Sequence, residues 1–152
     1  VVSIDDNEAS FDIIPETLGI TTLGTLIEGN WVNLERAMKM GDEIGGHILS
    51  GHIIGTGEII VREKGEENID LLIDCPNDIM RYIQPKGYIA VDGISLTVGR
   101  VEESAFSIHL IPETLRLTTL GGKGLGKNVN IEVDSMTQAV VATVERLMEG
   151  RA

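Results

Sequence analysis

The segment Gly45-Gly46-His47-Ile48-Leu49-Ser50-Gly51-His52 concentrates the chain's capacity for chemistry, since it holds two of the three histidines. Two nearby histidines first suggest zinc. Neither helical nor strand periodicity puts residues five apart on one face, and no cluster of Cys or His completes a four-ligand set. The flanking glycines instead fit close backbone approach to something flat. A neutral imidazole can both donate to and accept from a polar heterocycle. The plainer alternative is a linker whose histidines cap strand ends.

Asp92-Gly93-Ile94-Ser95-Leu96-Thr97 starts as a tight turn and delivers Ser95 and Thr97 to one side of the strand that follows. Hydroxyls two apart also occur as ordinary exposed strand positions. Nothing resembles the Gly-x-Ser-x-Gly elbow of a hydrolase, so a nucleophilic triad has no support. Glu16 and Glu113 both follow a proline, as first-turn helix carboxylates that favour the dipole do. Cys75 reads as a small core or strand-end residue, and Lys86 as a solvated side chain in a Pro-Lys-Gly turn.

An internal duplication organises these segments. Residues 14–24, IPETLGITTLG, fall on residues 111–121, IPETLRLTTLG, so that Ile14 matches Ile111. The same ungapped offset aligns Val32-Asn33-Leu34-Glu35 with Val129-Asn130-Ile131-Glu132, and Gly29 with Gly126. So long a period is not that of a solenoid; it suits a duplicated domain with its own small core. The second copy includes material from about Gly41 to Val98 whose first-copy counterpart would precede Val1. The expectation is therefore a first domain incomplete in this chain, a longer native protein, and open sheet edges in a lone fragment. The division expected is 1–40 for the end of the first domain, 41–134 for the second and 135–152 for a terminal helix.

Short strands must position the candidate residues. Ala9–Ile13, Trp31–Arg36, His52–Val61, Ile69–Ile73, Ile94–Val98, Phe106–Ile111 and Val129–Asp134 carry β-branched, alternating patterns. Pro15 and Pro112 suit the first turn of short helices, and Asn77–Ile83 is a further short helix. Ser135-Met136-Thr137-Gln138 has capping-box spacing ahead of a helix to about Met148. Val140, Val141, Val144, Leu147 and Met148 share one face of it. That face either packs on its own barrel or forms an oligomer contact.

Composition narrows the function classes. A formal charge of -12 argues against a nucleic-acid partner. No apolar run approaches the roughly 20 residues that span a bilayer. One cysteine forms no internal disulfide, and no secretory leader pattern opens the chain. Cytoplasmic residence is the expectation.

Taken together, the residues 41–52 (GDEIGGHILSGH), 91–98 (VDGISLTV) and the paired Ile-Pro-Glu-Thr-Leu segments resemble the riboflavin synthase family along the whole chain. The resemblance implies an all-β fold: two tandem six-stranded antiparallel Greek-key barrels, the first incomplete here, plus a C-terminal helix. It implies dismutation of two 6,7-dimethyl-8-ribityllumazine molecules to riboflavin and 5-amino-6-(D-ribitylamino)uracil, without metal or redox cofactor. The protein's task would be to stack two substrates and steer protons. Matching by motif, the second-barrel site would use Gly51, His52 and Ile53, then Ser95, Leu96 and Thr97, then His109, Leu110, Ile111, Pro112, Glu113 and Thr114. Lys86 would reach in from another chain. In the first barrel, Phe11, Asp12, Ile13, Ile14, Pro15, Glu16 and Thr17 form the matching strand end. His47, His52, Ser95 and Asp134 are the candidates for proton handling. The family also implies a homotrimer with inter-subunit sites. A non-catalytic lumazine or flavin antenna is the main rival, and a ligand-free β-rich domain is what composition alone allows.

Overall fold

The computed structural model describes residues 1–150. Its centre is a closed antiparallel barrel of six strands: β3 (Gly55–Lys64), β4 (Ile69–Asp74), β5 (Tyr88–Val91), β6 (Ile94–Val101), β7 (Ala105–Leu110) and β8 (Asn128–Val133). Around the barrel the order is β3-β4-β7-β6-β5-β8. β5, β6 and β7 form consecutive hairpins while β4 returns beside β7, which is a Greek key. Closure leaves the barrel without free edges.

Strand alternation fills the interior. Ile69, Leu71 and Ile73 of β4, Phe106, Ile108 and Leu110 of β7, and Val129, Ile131 and Val133 of β8 join one buried cluster. Burying each such side chain stabilises the fold by about 1.5–3 kcal/mol. Helix α2 (Asn77–Met80) adds Ile79 and Met80, and Leu120 enters from the turn after helix α3 (Pro112–Leu117). Cys75 belongs to this core, where burial, aided by the Asp74 charge, pushes its thiol up to about 12. A thiol so rarely ionised is inert.

The first copy looks different. Only a short hairpin forms, β1 (Ser3–Asp5) with β2 (Glu8–Ser10), followed by helix α1 (Pro15–Ile20). The strand expected over Ala9–Ile13 ends at Ser10, and the one expected over Trp31–Arg36 is irregular, with Trp31 88% exposed. The reason lies in pairing. The equivalent of Trp31–Arg36 in the second copy is β8, which hydrogen-bonds to β3 and β5; among the described residues the first copy has no counterpart of either. An alternating segment with no neighbouring strand has nowhere to place its backbone hydrogen bonds.

What remains of the first copy is tied to the barrel by two bonds that the repeat interchanges. Thr22 N–H donates to Asn130 Oδ1 at 2.7 Å, and Thr119 N–H donates to Asn33 Oδ1 at 2.8 Å. Thr22 and Thr119 are repeat counterparts, as are Asn33 and Asn130, so each copy holds the other through the same contact, the geometry of a twofold interface. Asn33 Nδ2 also donates to the Asp92 carbonyl at 3.1 Å.

Helix α4 (Ser135–Glu149) closes the described chain. Its N-cap is Asp134 rather than Ser135, one residue earlier than the capping-box spacing suggested, because Asp134 is the residue whose carboxylate accepts the Thr137 N–H. Glu145 meets Arg81 at 3.5 Å, and along the apolar stripe Val141 is half-buried whereas Val140, Val144, Leu147 and Met148 are exposed. Most of the stripe is therefore not covered by its own barrel. Among the described residues no helix is long and apolar enough to cross a membrane.

Candidate functional site

If Ile89 and Val91, Ile94, Leu96 and Val98, and Val129, Ile131 and Val133 face the core, their neighbours face outward. Registration then aligns a row on the outer surface: Glu132 of β8 opposite Ala90 of β5, and Ala90 opposite Ser95 of β6. Residues 45–52 form a strap over this row. At one end, His47 N–H donates to Ser95 Oγ at 3.0 Å and His47 Nδ1 lies 2.6 Å from the same oxygen. At the other, Ser50 N–H, Ser50 O–H and Gly51 N–H all reach Glu132 Oε1, at 2.6, 2.8 and 3.1 Å. Ala90 between them is 0% exposed although it faces outward, as a covered residue must be.

Two glycines make the strap possible. A Cβ on Gly46 would run into the Ser95 side chain, and Gly51 holds φ +80, a left-handed conformation in which side chains are costly. The flat partner that these glycines approach is thus the barrel's own outer face.

Ser95 Oγ accepts the His47 backbone N–H and shares a second hydrogen bond with Nδ1 of the same residue. Nε2 is buried and has no hydrogen-bond partner among the described residues. The ring stacks on Tyr88, with centroids 5.2 Å apart. Asp134 follows two residues after Glu132 and is held below its usual range. Burial opposes its charge, but the Thr137 hydroxyl and N–H, the Met136 N–H and the His47 charge outweigh it. A depressed carboxyl contributes stability above its unfolded value, and that contribution is lost as pH falls through the folded value. Asp134→Asn is therefore expected to flatten the acid end of the stability profile. Because Asn caps helices about as well as Asp, the loss near neutrality should stay within about 1 kcal/mol. Chemical denaturation between pH 2 and 7 checks both.

A groove of about 280 Å³ runs along the outer faces of β4, β7 and β6, lined among others by Asp70, Lys86, Thr97, Arg100, Ser107 and His109; Thr97 stands two residues after Ser95 on β6. His109 is hydrogen-bonded to Asp70 and lies 3.3 Å from Asn68 Nδ2. Lys86 holds φ 66, a strained value for a residue with a side chain. It shares this groove with Thr97 and His109 of its own chain.

The expected site residues therefore divide. His47 and Ser95 come together, whereas Asp134 caps helix α4; Lys86, Thr97 and His109 line the groove; Gly51 is held by Glu132, with exposed His52 and half-buried Ile53 following it. Leu110 is 0% exposed and Leu96 packs against the core, so strand alternation turns both side chains away from the groove. Ile111, Pro112 and Glu113 lie exposed and Thr114 half-buried at the head of α3. Arg116 Nη2 meets Glu113 Oε1 at 2.6 Å, and this hydrogen bond keeps the Glu113 carboxyl below its usual range. Gly19 stands where the first copy would have that arginine, so Glu16 lacks the clamp. Phe11, Asp12, Ile13, Ile14, Pro15 and Glu16 are exposed and Thr17 is half-buried; none of them lines the groove. Glu132 escaped sequence reasoning, because a carboxylate on an alternating strand reads as an ordinary solvated position.

The lumazine binding domain family matches residues 1–37 and 50–134. Riboflavin synthase of Escherichia coli (strain K12) is 53% identical over 152 residues, covering 99% of this chain and 71% of that protein. The chain belongs to the riboflavin synthase family. Riboflavin synthase of Chlamydia pneumoniae is 47% identical over 148 residues, covering 97% of this chain and 72% of the relative. Among solved structures, LumP complexed with riboflavin superposes with a TM-score of 0.74 at 26% identity, over 80% of this chain and 66% of LumP, just under two thirds of its length. LumP complexed with 6,7-dimethyl-8-(1'-D-ribityl) lumazine gives 0.71 at 25% identity. The fold is that of this family: a closed six-stranded barrel, a second and incomplete sheet, and a C-terminal helix.

Proposed function

We propose that the chain acts as a riboflavin synthase, dismutating two 6,7-dimethyl-8-ribityllumazine molecules to riboflavin and 5-amino-6-(D-ribitylamino)uracil. The observation that carries this reading is the gathering of Lys86, Thr97 and His109 in one outer groove, with Thr97 two residues along β6 from the Ser95 that holds His47. Hydroxyls, imidazoles and one amine can hold the polar edges of a pteridine and its polyol chain. The C7 methyl of that ring system is acidic, so orientation and proton transfer supply the catalysis. In this reading Ser95, His47, His52 and Asp134 handle protons, while Gly51, Ile53, Thr97, Lys86, His109 and the head of α3 bind substrate.

A groove of about 280 Å³ suits a single bicyclic ligand rather than two. The second substrate would lie against Phe11 to Thr17 of a first barrel in another subunit, within a homotrimer that buries the exposed stripe of α4. The division into 1–40, 41–134 and 135–152 and a cytoplasmic location complete the proposal.

An antenna-like lumazine binder is the second reading, favoured by the superposition on LumP. Purified protein given the lumazine alone, with riboflavin followed by absorbance and fluorescence, separates the two. Sustained riboflavin formation supports the synthase; tight binding without turnover refutes it in favour of the antenna.

A further inference from the structure

We propose that Glu132 is a positioning residue: its carboxylate pins the strap 45–52 at Ser50 and Gly51 and so fixes how the segment that carries His47 and His52 lies over β5 and β6. The inference rests on the functional reading above and adds to it a residue remote from the groove's lining.

Glu132 is 4% exposed, and a carboxylate is rarely so buried unless its charge is satisfied. Here the partners are strap groups: two backbone N–H groups and a hydroxyl converge on Oε1, and Gly51 N–H also reaches Oε2 at 3.2 Å. Hydrogen bonds to a charged acceptor are about twice as strong as neutral ones. The opposite end of the strap is held by the neutral Ser95 hydroxyl. The charged anchor is thus the stronger, and Gly51 and His52 lie directly beyond it. Glu132 also stands two residues before Asp134, the N-cap of α4, so the anchor sits where β8 passes into the helix.

The test compares Glu132→Gln, Ser50→Ala and the double variant in the intact protein, by amide hydrogen exchange and by steady-state turnover. Gln keeps the size but loses the charge and one acceptor oxygen. Exchange at Ser50 and Gly51 should quicken at least about tenfold, while Ile131 and Val133 in β8 keep their protection. Displacing reacting groups by about 1 Å costs on the order of 100-fold, so kcat should fall about 10- to 100-fold, with KM moving far less. The double variant should add little to Glu132→Gln, because both remove one anchor. Protected strap amides in Glu132→Gln, or unprotected ones with kcat retained, would overturn the proposal. Should Glu132→Gln not fold, Ser50→Ala, which leaves β8 untouched, decides it through a smaller fall in kcat of about 3- to 10-fold. If the wild type makes no riboflavin, the reaction reading alone fails. Riboflavin affinity then decides the strap proposal, a tenfold weakening in Glu132→Gln supporting it and unchanged affinity overturning it.

Discussion

Phe106→Ala is expected to destabilise the barrel by about 3–5 kcal/mol, the largest stability change of any single core truncation here. Phe106 is the largest fully buried side chain and is 0% exposed. It stands on β7, flanked by β4 on one side and β6 on the other, opposite Ile73 and Val101. The surrounding residues are Ile, Leu and Val, whose positions are fixed by two hydrogen-bonded neighbours each, so the walls of the barrel have little freedom to close over the missing ring. That rigidity is why the cavity cost should add to the lost transfer energy. Since domains of this size are stable by about 5–15 kcal/mol, the variant should remain folded only in mild conditions. Urea unfolding checks this through a lower midpoint at unchanged slope. A loss below about 1.5 kcal/mol would mean that the barrel collapses onto the space and is more deformable than its closed ladder implies.

The duplication was readable because identical local sequence makes identical local structure. Thr21 and Thr118 both leave a six-residue helix with nearly the same backbone, φ -121 and -127 with ψ 164, and both accept from the second N–H that follows. The candidate His47 and Ser95 were equally readable as residue types, and the Asp92-Gly93 turn formed where expected, with φ 49 and 78. Long-range pairing was not readable. Trp31–Arg36 has the pattern of β8 yet no neighbouring strand, while Tyr88–Val91 forms a strand that its four residues did not announce. Glu132 illustrates the same limit at the site. Its alternating context predicts an outward face, and that is correct; only the strap arriving from 82 residues earlier, Ser50 to Glu132, buries it. Local pattern sets which way a side chain points, whereas tertiary arrival decides what it meets.

Ser95→Ala is expected to lower kcat/KM for riboflavin formation by roughly 100- to 1,000-fold, within the range that positioned acid–base groups supply. The hydroxyl has two duties that alanine removes together. It accepts the His47 N–H, which seats the strap, and it hydrogen-bonds Nδ1, which orients the ring. Without it the imidazole keeps its stacking on Tyr88 but loses that orienting bond. Ser95→Thr separates the duties from mere bulk: its hydroxyl can still accept and donate, so it should recover part of the activity, whereas Ser95→Gly should not. The pH profile is the sharper readout. If proton transfer runs through the Ser95–His47 pair, its loss should change the shape of the kcat/KM profile rather than merely lower it. A uniform fall at every pH, matched by an equal weakening of riboflavin binding, would instead make Ser95 a binding hydroxyl and leave proton transfer to His52 or solvent. Retention of full activity would remove the His47–Ser95 pair from the reaction altogether.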